Sequence, residues 1–208
     1  MNRNLLLLIP LALLVVGVLV ANLVVDRPDR KPDTEAVILD QPRLIPDMIL
    51  LDHHGTAWSP GRLQGQWSLV FFGFTHCPDI CPETMVQMNQ VHRLVEEKGR
   101  VMPPSVIFVT VDPARDSHER LADYVPYFNR HFLGLTGGEE AILSLAASMG
   151  VPVSIPDVAP DEDYEVDHGA SISLVDPEGH IRAFFTPPHR VESIADDYEA
   201  IVRYLRKR

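Results

Sequence analysis

The stretch Trp67–Pro82, WSLVFFGFTHCPDICP, decides how this chain is read. Leu69, Val70, Phe71 and Phe72 form an unbroken apolar run, the pattern of a strand covered on both faces. Gly73, Thr75, Pro78 and Pro82 then break regular structure. From Glu83, the apolar residues Met85, Met88, Val91 and Val95 recur at helical spacing until Gly99. Both cysteines, Cys77 and Cys81, fall in the break. Each precedes a proline, which pushes it toward extended backbone. The sequence therefore predicts a loop over 77–81, with Cys81 as helix cap and Pro82 at the first helical position. At a cap, the positive end of the helix dipole favours a thiolate, so a lowered thiol pKa is expected at Cys81. Two sulfurs at the carboxyl end of a buried strand occupy the usual place for a site in an open α/β sheet.

Outward from this stretch, apolar runs and turn residues give an alternating order. Residues 105–111, SVIFVTV, read as a second buried strand ending in Asp112-Pro113. A helix follows over 117–129 with Ser117 as its cap, then a short strand at 132–135 and a helix over 139–149. Residues 151–167 are proline-rich and acidic, long for a loop inside a domain, and lead to His168. They read as a solvated flap or as a mobile acidic lid. Strands at 170–175 and 181–185 flank the turn signal Asp176-Pro177-Glu178-Gly179, and a last amphipathic helix starts at Val191. On the amino-terminal side, residues 43–51 and the turn Asp52-His53-His54-Gly55 read as a hairpin. The expectation is an α/β fold, thioredoxin-like, with a mixed sheet flanked by helices.

Residues 5–25 are apolar apart from Asn22. That run is long enough to span a bilayer as a single helix and longer than the ~7–15-residue core of a cleaved signal peptide. Arg3 before it and Asp26 after it put the amino terminus in the cytoplasm by the positive-inside rule. No Arg- and Ser-rich transit segment precedes it, so a bacterial inner membrane with a periplasmic domain is expected. The organisation is then an anchor over 1–25, a polar linker over 26–40 and a domain over 41–208. A net charge of −11 argues against nucleic acid as a partner. Two cysteines in an exported domain usually make a structural disulfide. A bridge closing so short a loop constrains little of the unfolded chain, which favours redox or metal chemistry.

The segments FGFTHCPDICPETM at 72–85, VTVDPARD at 109–116 and DHGASISLVDPEGHIRAFF at 167–185 together resemble the Sco/SenC family. That resemblance covers the whole exported domain. It implies a membrane-anchored, thioredoxin-like copper protein serving assembly of the binuclear copper centre of cytochrome c oxidase subunit II. It implies Cys77, Cys81 and His168 as the copper ligands. An upstream copper donor or thiol reductant would complete the set of partners. Family members often carry a small hydroxyl residue where this chain has Gly169.

These residue types suit that chemistry. Thiolates match soft Cu(I), and an added imidazole lets the same site hold Cu(II). The alternative is a thiol–disulfide oxidoreductase in which Cys77 and Cys81 are the redox pair and His168 is not needed. Three residues between the cysteines, instead of two, and Asp167-His168-Gly169 where a reductase would carry a cis-proline, weigh against it. A peroxidase-like reading rests on the fold alone. Met85 and Met88 are read as core in preference to copper ligands. His53 and His54 are read as turn residues, Asp79 as a turn former, and His76 as pointing away from the sulfurs. Asp167 is either a partner orienting His168 or a plain surface acid. Asp112, Arg115 and Asp116 are read as a structural ion-pair network.

Overall fold

In a computed structural model of the chain, the residues described are 31–157 and 164–207. The span expected over 5–25 lies outside them, and no helix among the described residues is long and apolar enough to cross a membrane. From Thr34 onward the chain forms one compact unit.

The centre of that unit is β4 (Ser68–Gly73), in which every residue is buried. Leu69, Phe71 and Phe72 have no exposed surface, and each such side chain stabilises the fold by about 1.5–3 kcal/mol. Burial along the whole strand means that both sheet faces are covered, as the apolar run required. β5 (Ser105–Thr110) lies parallel to β4, and β6 (Leu133–Thr136) lies parallel to β5. On the other side β9 (Ile172–Val175) runs antiparallel to β4, and β10 (His180–Phe185) antiparallel to β9. The sheet is therefore mixed, and among the described residues it has eight strands in the order β1 (Val37–Leu44), β10, β9, β4, β5, β6, β2 (Leu50–Asp52), β3 (Ala57–Trp58).

Four helices fill the connections among the described residues: α1 (Ile80–Lys98), α2 (His118–Phe128), α3 (Glu139–Ser148) and α4 (Val191–Leu205). Their ends follow the sequence closely. Gly99 closes α1 in the left-handed region at φ 59°, and the Ser117 side chain accepts from the Arg120 N–H at the start of α2. The turn at 176–179 forms as expected: the Gly179 N–H donates to the Asp176 carbonyl, and the Asp176 carboxylate accepts from the Glu178 and His180 amides. Met85 and Met88 are fully buried in the core.

Both sheet edges differ from expectation. β1 (Val37–Leu44) begins inside the stretch read as linker and pairs with β10. Its sequence, VILDQPRL, is mostly polar and holds Pro42, and its register shifts between Ile38 and Arg43 around that proline. An edge strand with a bulge tolerates a residue that has no N–H, which is why the pattern does not look like a strand. The hairpin does form, but from β2 (Leu50–Asp52) and β3 (Ala57–Trp58) at the opposite edge, beside β6. Arg43 and Leu44 belong to β1 instead. His53 in its turn is buried, and its Nδ1 accepts from the Gly134 N–H at 2.9 Å, tying the hairpin to β6. Finally, β7 (Val153–Ser154) and β8 (Asp167–His168) form a separate two-stranded sheet at the two ends of the acidic stretch.

Candidate functional site

After Gly73 the chain crosses from β4 to α1. The Cys77 N–H donates to the Phe74 carbonyl at 3.3 Å, and the Glu83 N–H to the Asp79 carbonyl at 3.1 Å. The second bond closes the first turn of α1, so Asp79 is the N-cap and Cys81 is already helical. The expected loop over 77–81 with Cys81 as the cap is thus corrected. The conformational bias of a residue before proline is a preference. Here it yields to packing, because the helical position drives the Cys81 side chain into the core, where it has no exposed surface.

Gly73 makes that possible. A Cβ at Gly73 would lie 3.0 Å from Cys81 Sγ and 2.8 Å from the Phe108 ring. Cys77 is half-buried, and both cysteines are free thiols. The Cys81 N–H donates to Cys77 Sγ at 3.4 Å, which sets the outer sulfur over the first turn of the helix. Burial pushes the Cys81 thiol pKa well above its ordinary value, against a lowering contribution from the Phe74 backbone N–H. The lowered pKa expected at Cys81 is therefore also corrected. A helix dipole is worth roughly 1 kcal/mol, whereas taking a charge out of water costs several. A thiol held this way loses its proton to solvent most readily when a cation takes the proton's place on sulfur.

His168 reaches this thiol from 87 positions away in the chain, with Nε2 3.8 Å from Cys81 Sγ. β8 delivers it, held by the pairing of His168 with Val153. The Gly169 N–H donates to the Pro152 carbonyl at 2.9 Å, and a Cβ at Gly169 would meet the Pro152 ring at 2.9 Å. Glycine at this position lets the two strands approach. The imidazole stands edge-on to Phe71 and Phe74, with ring centroids 6.3 and 6.0 Å away. Its Nδ1 is 3.1 Å from the Gly169 carbonyl oxygen. A carbonyl only accepts, so Nδ1 carries the proton in that contact and the Nε2 lone pair faces the sulfur. Burial lowers the His168 pKa, against raising contributions from the Gly169 carbonyl and the charge of Asp167. A neutral imidazole with its lone pair turned toward a thiol is a ligand-ready arrangement.

Among the described residues, no three His, Cys, Asp or Glu side chains form a finished metal cluster. Cys81 and His168 face one another, and the Cys77 sulfur rests on the Cys81 amide. The donor types, two thiols and an imidazole nitrogen, fit a soft or borderline ion.

The residues around the pair are more tightly organised than the sequence indicated. Asp116 is fully buried and accepts from the Thr75 N–H, the Thr75 hydroxyl and the Thr110 hydroxyl. It ties the cysteine turn to β5. His76 points to Thr75 and Asp116, away from the sulfurs, as expected. Asp167 is exposed, and the hydrogen bond to Nδ1 belongs to the Gly169 carbonyl. Sequence reasoning missed Gly73 and Tyr164. Gly73 is signalled only by a glycine ending an apolar run. Tyr164 is the aromatic residue four positions before His168, and it packs against Arg115.

Residues 38–203 match the SCO1/SenC family. The chain is 40% identical over 150 residues to the mitochondrial SCO2 homolog of Bos taurus, covering 72% of this chain and 56% of that protein. It is 36% identical over 170 residues to the protein sco1 of Schizosaccharomyces pombe, covering 80% of this chain and 64% of that one. The chain thus spans less than two thirds of the length of these relatives. Among solved structures, Arabidopsis thaliana ScoI with copper bound superposes with a TM-score of 0.71 at 32% identity, covering 77% of this chain and 98% of that one. The glycine-backed Cys81, the helix-borne cysteine turn and the histidine returned by β8 are therefore carried on a chain that belongs to the SCO1/SenC family.

Proposed function

We propose that this protein is a membrane-anchored copper metallochaperone that holds Cu(I) or Cu(II) through Cys77, Cys81 and His168. Its client is the copper centre of cytochrome c oxidase subunit II. It receives the ion from an upstream donor, after a thiol reductant has left both cysteines reduced. Residues 5–25 anchor it in a bacterial inner membrane with the domain in the periplasm.

The observation that carries this reading is the approach of the His168 Nε2 lone pair to Cys81 Sγ at 3.8 Å. A relative of this chain has been solved with copper bound, which supports the choice of ion. The chemistry agrees. Copper is cargo here, and three donors leave room for an incoming ligand from the client. Two sulfurs suffice for Cu(I), while the imidazole makes the set competent for Cu(II). Because burial already keeps His168 neutral, the ring gives up no proton when it binds near neutral pH.

Titration of the reduced full-length protein with Cu(I) and Cu(II), wild type against His168→Ala, tests this. Cu(II) affinity should fall by about 10–100-fold or more, while Cu(I) is retained by the two sulfurs. Unchanged Cu(II) affinity in the variant would overturn the ligand set.

A second reading is favoured by the two free thiols side by side, one of them half-exposed. As a thiol–disulfide oxidoreductase, Cys77 and Cys81 would pass two electrons and two protons to a partner disulfide and become bridged. Failure to reduce a protein disulfide at any pH would remove it.

A further inference from the structure

Arg115 follows the central strand β5 and has only 9% of its side chain exposed. It combines hydrogen bonds with contacts to aromatic rings. Its Nε donates to Asp112 Oδ2 at 2.5 Å, and its Nη2 donates to the Tyr164 carbonyl at 2.9 Å. Its Cζ lies over the Tyr164 ring, 3.4 Å from the centroid, and over the Phe74 ring, 6.0 Å from that centroid. The Tyr164 hydroxyl returns to Asp112, donating to Oδ1 at 2.7 Å. Asp112 is itself buried and fixed by its N–H to Thr110 Oγ1, so the anchor of the cluster is the sheet.

The residue held is not an arbitrary one. Tyr164 begins the five residues that end in His168. Val166 between them is buried, Asp167 and His168 pair with Ser154 and Val153, and the Gly169 N–H bonds Pro152. The segment carrying the imidazole is therefore fastened at both ends. One end is fastened by backbone pairing and the other by the Arg115 clamp. Phe74, whose ring the Arg115 guanidinium overlies at 6.0 Å, stands edge-on to the His168 ring.

We propose that Arg115 is a positioning residue for His168: by clamping Tyr164 against Asp112, it sets the imidazole at its distance from Cys81. This inference rests on the reading of His168 as a copper ligand, and it assigns Arg115 to the site, whereas its sequence context indicated only a structural ion pair. Guanidinium is required because the job combines stacking, a carbonyl bond and a carboxylate bond in one plane, which an ammonium cannot do.

The experiment uses the reduced full-length protein and the variants Arg115→Ala, Arg115→Lys, Tyr164→Phe and His168→Ala. In metal-free protein, amide hydrogen exchange at residues 164–169 should speed up in Arg115→Ala and Arg115→Lys, with exchange in β4 and β5 unchanged. Cu(II) affinity should drop by about tenfold or more in both, with an altered Cu(II) electron paramagnetic resonance spectrum, while Cu(I) affinity stays near wild type. Tyr164→Phe keeps the stack and the carbonyl bond and should fold normally with a smaller loss. Unchanged exchange at 164–169 overturns the proposal, as does equal weakening of Cu(I) and Cu(II). Full rescue by Arg115→Lys would also overturn it, since charge alone would then suffice. If His168→Ala leaves Cu(II) binding intact, it is the copper-ligand reading that fails, and the metal-free exchange measurement still decides the clamp.

Discussion

Gly73 shows how much of the site depends on one absent side chain. Its hydrogen is the only substituent that fits between Cys81 Sγ and Phe108. Gly73→Ala forces atoms apart in a closed core and should cost about 1–3 kcal/mol, read as a lower urea midpoint at constant slope. At this scale the structure brings His168 to within 3.8 Å of Cys81, while the surroundings of the cysteines differ from expectation. Cys77 and Cys81 announced themselves, and the resemblance brought His168 to them. The expected acidity of Cys81 was wrong because a sequence shows which dipole lies near a group but not whether water does. His53 is a parallel case. Read as a turn residue, it does sit in that turn, but it is buried there and accepts a backbone hydrogen bond across 81 residues of chain.

At the scale of elements, what was read and what was missed divide by burial. β4, β5 and the four helices are built from long periodic or continuous apolar patterns, and their positions match expectation to within a few residues. β1, β7 and β8 are short or mostly exposed, so nothing in their hydropathy marks them; only pairing makes them strands. The β7–β8 pair nevertheless does the most for the site, because it returns the imidazole. Gly169→Ala tests its tolerance. The new methyl would press on the Pro152 ring at 2.9 Å, so β8 must move off β7. The expected result is weaker Cu(II) binding with overall stability lowered by no more than about 1–3 kcal/mol. A variant with wild-type Cu(II) affinity would mean that strand spacing here does not set the ligand geometry.

For the whole molecule, buried titratable groups give stability an optimum. His53, His168 and His189 all have pKa values lowered by burial from 6.5. The unfolded chain takes up protons that the folded one refuses. Their contribution is therefore complete above pH 6.5 and lost as pH falls from there through the folded values. Cys81 acts in the opposite direction. Its folded pKa is raised, so stability is full below the ordinary thiol value of 9.0 and declines as pH rises above it. Urea midpoints of the metal-free reduced protein across pH should trace both limbs, with the acid limb shallower in His53→Gln at matched conditions. A profile flat both below pH 6.5 and above pH 9.0 would contradict the burial of these groups. The mixed sheet itself was legible from the order of elements, since strands alternating with helices and a closing hairpin leave few other arrangements. Which strands stand at its two edges was not, because edges carry little apolar signal.

The unequal depth of the two sulfurs gives the molecule a doorway with a single leaf. Cys81 is sealed against Gly73, and only Cys77 meets solvent. On either reading proposed above, a visiting thiol would engage Cys77 first, and Cys81 would be the last to let go. Traffic through the site is thereby given an order. A covalent adduct with a partner should accumulate when Cys81→Ser removes the resolving sulfur, and none should form with Cys77→Ser; trapping through Cys81 alone would show that the door opens from the other side.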